Sequence, residues 1–237
     1  MLLHRKNLLK AMLKTPGLEY LLPLNEQSGV TANDISGNGL NGTYSGPTLY
    51  QPGPNPLVPV MASFDGLNDT ITPAAGCSCR GKSVFTWVGV IEVVNGSANQ
   101  YVWFESVADS GATNRFSIVV DADKKLNIHI RTGLSTQTLS SFTTTDPVAA
   151  GKYLCVVLVD IANKAAVLYL NGSVVVGTFT CNWGTDTAIA NTASITSTIG
   201  GAGASLYYAG DLACVGRYST LLSAGTNLDL ARRGGFA

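Results

Sequence analysis

The feature that most restricts how this chain can fold is a succession of short segments of β-branched and aromatic residues, each closed by Gly, Asn, Asp or Thr. Residues 84 to 94, VFTWVGVIEVV, are the clearest. Gln100 to Val107, Arg115 to Asp121, Lys125 to Arg131, Tyr153 to Ile161, Ala165 to Leu170, Ser194 to Gly200 and Asp211 to Tyr218 follow at short spacing. Asp121 to Lys125 and Ala162-Asn163-Lys164 read as hairpin turns, and Asn171-Gly172 as a tight turn into Ser173 to Val176. One short helix is predicted late, from Ala224 to Arg233. Roughly a dozen short strands in one unit predict an all-β fold, an antiparallel two-sheet sandwich. Pro47, Pro52, Pro54, Pro56 and Pro59 mark an extended surface crossing between strands. No internal repeat is present.

The first 14 residues break this pattern. Leu2, Leu8, Leu9, Met12 and Leu13 share one side of a helix and Lys6, Lys10 and Lys14 another, while Arg5 interrupts the apolar side. Thr15-Pro16-Gly17 ends the helix. Residues 1–17 are therefore expected to form a basic amphipathic arm and residues 18–237 one domain. The arm either docks on a partner in an assembly or packs on its own domain. It holds four of the 15 basic residues and no acid, leaving 11 basic against 15 acidic in the rest. The whole chain is neutral, which removes any global attraction to nucleic acid or an anionic membrane. Only 13% of residues are charged and 46% are apolar, too apolar for disorder. No apolar run reaches the ~20 residues of a membrane span.

Five cysteines at positions 77, 79, 155, 181 and 214 form no disulfide framework, and Cys77 with Cys79 is too small a set for zinc. Cys155 and Cys214 sit in apolar strand segments as buried thiols. Free thiols, together with an N-terminus lacking the apolar segment of a secretion signal, predict folding in a reducing cytoplasm. The sequons at Asn95-Gly96-Ser97 and Asn171-Gly172-Ser173 then read as hairpin turns.

Several segments resemble the laminin-G-like or concanavalin A-like jelly-roll superfamily. Leu24 to Gly29 followed by Asn33 to Tyr44 is similar to its opening segment, and Ala62-Ser-Phe-Asp-Gly-Leu-Asn-Asp69 to its second signature. Phe85-Thr86-Trp87, Val167 to Gly172, Ile199-Gly-Gly201, Gly210 to Tyr218 and Leu222-Ser223 are similar to its later strands and turns. The resemblance spans residues 18 to 232 and implies a jelly roll. It does not imply one function, since that fold carries lectins, enzymes and assembly proteins.

Four chemistries follow from it. Relatives hold Ca²⁺ near the opening loop, which makes Asp34, Asn38, Asp65, Asp69 and Asp211 candidate ligands. The closing strand departs from the family, with Ala213-Cys214 where an acidic pair is usual, and plain turns are the alternative. Glucanases of this fold need two carboxylates, but the four glutamates, 19, 26, 92 and 105, lack the alternate spacing along one strand. Neither histidine pairs with a nucleophile: His4 lies in the arm, and His129 points opposite Ile128 and Ile130. The chain is therefore expected not to be an enzyme. Lectins of this fold stack sugar on exposed rings. Trp183, in a loop, and the adjacent Tyr207 and Tyr208 are the candidates, the alternative for Trp183 being a cap on one end of the core. Modules of this superfamily also occur in bacteriophage particles. The leading expectation is a structural or adhesive virion protein that folds in the host cytoplasm. Its arm or a sheet edge would anchor it to other virion proteins or to itself, as a homo-oligomer such as a trimer. A lectin-like module that meets a host-surface glycan is the alternative, with a glycoside hydrolase behind it.

Overall fold

The computed structural model describes residues 7–94, 96, 98–107, 114–133, 139–191, 195–202 and 206–237. Leu2 of the expected arm and the sequon at Asn95 and Ser97 lie outside the described residues. The chain is an antiparallel sandwich of two sheets. One sheet has eight strands: β1 (Leu18–Leu22), β4 (Thr48–Asn55), β5 (Val58–Asp65), β7 (Val84–Val93), β12 (Gly151–Asp160), β13 (Ala165–Leu170), β14 (Ser173–Val174) and β17 (Ala209–Tyr218). Its order is β14-β13-β12-β7-β17-β5-β4. The first half of β17 pairs with β5 and its second half with β1.

The other sheet has nine strands: β2 (Thr31–Ala32), β3 (Gly42–Ser45), β6 (Thr70–Pro73), β8 (Gln100–Val107), β9 (Asn114–Val120), β10 (Leu126–Ile130), β11 (Ser140–Thr144), β15 (Gly177–Thr180) and β16 (Ile195–Ile199). Its order is β15-β11-β10-β9-β8-β16-β6-β3-β2. The Pro-rich stretch departs from expectation. Residues 48–55 are not an unpaired crossing but the edge strand β4, hydrogen-bonded to β5 through two irregularities. Proline lacks the N–H that a central strand must donate, so an edge is where such a segment can pair.

The alternating pattern sends every second residue of each strand between the sheets. Trp87 and Ile91 of β7, Val157 of β12, Trp103 of β8 and Ile118 of β9 meet in that core. Phe85 and Phe116 meet edge to face across it at 5.0 Å, and Tyr20 stacks on Trp103 at 6.1 Å. Gly89 is required where it stands, because a Cβ there would lie 2.4 Å from the Trp87 ring.

A second apolar layer covers the outer face of the eight-stranded sheet, and of the two placements the sequence leaves open for the arm, its described part packs on its own domain. Helix α1 (Leu8–Lys14) and helix α2 (Ala224–Gly234) lie on Leu21, Val88, Val90, Leu154, Val156 and Tyr218. Leu8 and Met12 are fully buried there, Leu9 is partly buried and Leu13 is exposed. Tyr218 donates its hydroxyl to the Met12 carbonyl at 3.1 Å. Asn7 caps α1 through the Leu9 N–H, and Ser223 caps α2 through the Thr226 N–H. The apolar side of α1 faces its own sheet because Val88, Val90 and Val156 would otherwise be left in water.

Candidate functional site

The two sheets differ in what lies outside them. The eight-stranded sheet is roofed by α1 and α2, whereas no helix among the described residues covers the nine-stranded one. Strand pairing lines up two rows of side chains on that outer face. One runs Thr198, Phe104, Ser117, His129, Ser141, Thr180, each directly opposite the next. The other runs Tyr101, Val119, Asn127, Thr143, Thr178. Six strands at ~4.8 Å spacing make the first row roughly 24 Å long.

An irregularity of β8 between Tyr101 and Trp103 decides which ring faces outward. Trp103 turns into the core, while Phe104, partly buried, sits outside with its ring edge-on to Tyr101 at 5.3 Å. Tyr101, Val119 and Ala202 form a small apolar ledge with Phe104 and Leu206. Beyond Tyr101 and Val119 the second row is polar, and Asn127 and Thr143 have partners. Thr143 donates to Asn127 at 2.6 Å, and Asn127 donates to Asp121 at 2.8 Å.

The first row is not satisfied. Ser117 Oγ and His129 Nδ1 are buried with no hydrogen-bond partner, as is Nε of Arg131, which follows the end of β10 and lies near enough to His129 for its charge to act on the ring. Leaving a buried polar atom unpaired costs about 1–3 kcal/mol, so three such atoms at adjacent positions are exceptional. Burial first, and then the charge of Arg131, push the His129 imidazole below its ordinary value, leaving it neutral at pH 7.

The glycan candidates read from the sequence are not on this row. Trp183 is fully buried, tilted against Phe179 at 5.4 Å, and closes one end of the core. Tyr208 is also fully buried: it donates to the Glu92 carbonyl at 2.5 Å, accepts from the Glu92 N–H at 2.9 Å, and packs edge-on to Phe64. Of the adjacent tyrosines, Tyr207 is the outward one, half-buried against Gly201 and Thr70.

The proposed calcium ligands serve turns instead. The Asp34 carboxylate accepts from the N–H groups of Leu21, Ser36 and Leu40, each at 2.9 Å, and from the Ser36 hydroxyl. Burial would raise its carboxyl, but these bonds hold it below its usual value. Asn38 donates to the Glu19 carbonyl, Asp65 accepts from Leu67, Asp69 accepts from the Asp65 N–H, and Asp211 pairs with Lys152 at 2.6 Å. Among the described residues, no group of three or more His, Cys, Asp or Glu side chains gathers to hold a metal ion. This donor set does not fit Ca²⁺, which takes six to eight oxygens.

A second polar cluster borders the core at Tyr20, Cys77 and Cys79. Arg217 of β17 is 1% exposed and donates to Glu19 at 2.6 Å, to the Cys77 carbonyl at 2.5 Å and to the Gly76 carbonyl at 3.1 Å, with its guanidinium over the Tyr20 ring. Lys82 also pairs with Glu19. Burial would raise the Glu19 carboxyl, but Arg217 and Lys82 outweigh it and hold the group below its ordinary value. Glu105, fully buried, accepts from Ser78 Oγ at 2.7 Å and from the Cys79 N–H at 2.9 Å, and burial raises its carboxyl. The recess beside this cluster, about 320 Å³, is lined by Glu19, Asn38, Lys82 and Arg217, whose charges are spent on one another. It ties the segment 75–79 to β1 and β17, a structural task.

Comparison with known proteins places this geometry. A family model described as the concanavalin A-like lectin/glucanases superfamily matches residues 71–226. No curated protein matches the chain by sequence. Among solved structures, a Trypanosoma rangeli sialidase mutant displaying trans-sialidase activity superposes with a TM-score of 0.65 and 14% identity, over 94% of this chain and 34% of that one. The sialidase in complex with sialic acid gives 0.63 and 13%, over 92% and 33%. The chain thus spans about a third of those sialidases. Domain 4 of AbnA, a GH43 extracellular arabinanase from Geobacillus stearothermophilus, in complex with arabinotriose, gives 0.62 and 16%, over 90% of this chain and 98% of that domain. At these identities the likeness establishes the fold. It also overturns the expectation that the chain is not an enzyme: the fold recurs within glycoside-hydrolase polypeptides, so lacking a recognised catalytic motif in the sequence does not support a non-enzymatic assignment. With the family model matching well over half of its length, the chain belongs to the concanavalin A-like lectin/glucanases superfamily.

Proposed function

We propose that this chain is a glycan-binding module whose saccharide lies along the outer face of the nine-stranded sheet. The observation that carries the reading is the continuous cross-strand row from Thr198 through Phe104, Ser117, His129 and Ser141 to Thr180. A sugar ring has an apolar C–H face and a rim of hydroxyls. Phe104 supplies a surface for the first, and the Ser, Thr and His side chains supply donors and acceptors for the second. The arabinanase domain, of nearly the same length and fold, is described with a bound oligosaccharide, which supports a glycan as the ligand class here. The particle-structural role expected from the sequence loses one of its two suggested anchors, because α1 is built into the domain, and keeps the sheet edge. A virion placement would leave this same face to meet a host-surface glycan.

A glycan array followed by calorimetric titration of the best ligand tests the proposal. Phe104→Ala is expected to weaken binding roughly tenfold or more while the melting curve stays cooperative. Ser141→Lys, which plants a long side chain in the row, is expected to abolish it. Binding by both variants at wild-type strength would place the site elsewhere, and no binding to any glycan would end the reading.

A further inference from the structure

We propose that the saccharide held on this face is acidic, its anionic oxygens taken by Arg131 and His129 with Ser117 beneath them. The inference rests on the glycan-binding reading and specifies its ligand class. Arg131 carries a permanent charge, and among the described residues it has no carboxylate partner. Its Nε is buried and unpaired, as are His129 Nδ1 and Ser117 Oγ. His129 lies directly opposite Ser117 on one side and Ser141 on the other, so the two strands packed against it present hydroxyls and no charge at those positions.

Acids near the row are already engaged. Asp121 accepts from Asn127 at 2.8 Å and from the N–H groups of Asp123 and Lys125. Asp186 accepts from Thr132 at 2.7 Å. Just beneath the outer face, a guanidinium nitrogen, an imidazole nitrogen and a hydroxyl therefore lie buried without a hydrogen-bond partner. A bridging water could satisfy one of these groups but would leave the charge of Arg131 uncompensated. A carboxylate or a sulfate ester supplies two or three acceptor oxygens and the opposite charge in one group, and matches the fork of an arginine. Phe104, one position along the row from Ser117, would hold the neighbouring apolar ring face.

The test is an immobilised panel of neutral, uronic-acid, sialylated and sulfated glycans, probed with wild type, Arg131→Gln, Arg131→Lys and Phe104→Ala. Wild type should prefer an acidic member, and its carboxylated or sulfated character identifies the group. Binding should fall as salt rises from 50 to about 500 mM, because exposed charges are screened. Arg131→Gln should weaken the acidic hit roughly 10- to 100-fold, and Arg131→Lys should recover part of the loss. Melting curves establish that the variants fold. Binding restricted to neutral glycans and lost in Phe104→Ala would overturn the acidic specificity and leave the glycan-binding reading standing. An acidic hit indifferent to Arg131→Gln would also overturn it. Silence across the whole panel would defeat both.

Discussion

The same residue types do opposite work at two places in this molecule, and the difference lies in their partners. Arg217 is buried with its donors engaged by Glu19 and by the carbonyls of Cys77 and Gly76, so it is part of the scaffold. Among the described residues Arg131 is paired with no carboxylate, and its buried Nε has no partner. The scaffold role has a pH signature. Glu19 titrates below its ordinary value in the folded chain, so its contribution to stability is present above the unfolded value near 4.5 and is lost as the pH falls through the lower, folded value. Glu19→Gln should lose about 3 kcal/mol at pH 7, because Arg217 is left buried without its counter-charge. Its unfolding free energy should also fall less steeply than that of wild type between pH 5 and about 3. Urea melts across that range measure both, and a variant that matches wild type at every pH would show the pair to be idle. Trp183 shows why residue identity alone misleads: an indole in a polar loop reads as a sugar platform, yet packing against Phe179 makes it a core cap.

At the scale of elements, the instructive one is α1. Its period and its stop at Thr15 are legible in the sequence, and the structure ends the helix there and adds an N-cap at Asn7. What the period leaves open is which apolar surface the helix meets. The deciding partners, Val88, Val156 and Tyr218, lie 70 to 200 residues away in sequence, and strand pairing alone brings them under the helix. Met12→Ala should therefore cost about 2–5 kcal/mol, as for a buried core side chain. Removing residues 1–14 should expose the sheet face beneath, seen as a lower melting temperature and enhanced binding of a hydrophobic dye. An unchanged melt would mean the helix is a free arm after all. The strands were easier to read, because the short runs rich in β-branched and aromatic residues from 84 to 93 and from 151 to 160, buried on both faces, are closed by turn residues. β4 was hard to read, since five prolines within 13 residues hide a strand that pairs on one edge only.

Across the whole molecule, the sandwich has one face sealed by helices and one that no helix among the described residues covers, and its five thiols report on how tightly the core is closed. All five are free: Cys77, Cys79, Cys155 and Cys214 are buried and Cys181 is partly exposed. Burial pushes the Cys77 and Cys214 thiols up to about 12, further suppressing the reactive thiolate. A chromogenic disulfide reagent should therefore label Cys181 first in the native protein and the other four only as the chain opens, with all five labelled in denaturant. Rapid native labelling of more than one would contradict the packing. By itself the sequence determined the class of fold, most strand positions and both helices, because hydrophobic period and turn chemistry are local properties. Only the tertiary structure decided that Phe104 rather than Trp103 faces outward, that Trp183 and Tyr208 are core, and that Ser117, His129 and Arg131 stand side by side. Register between strands and a single irregularity in β8 set those outcomes, and register is fixed by packing between residues far apart in the chain.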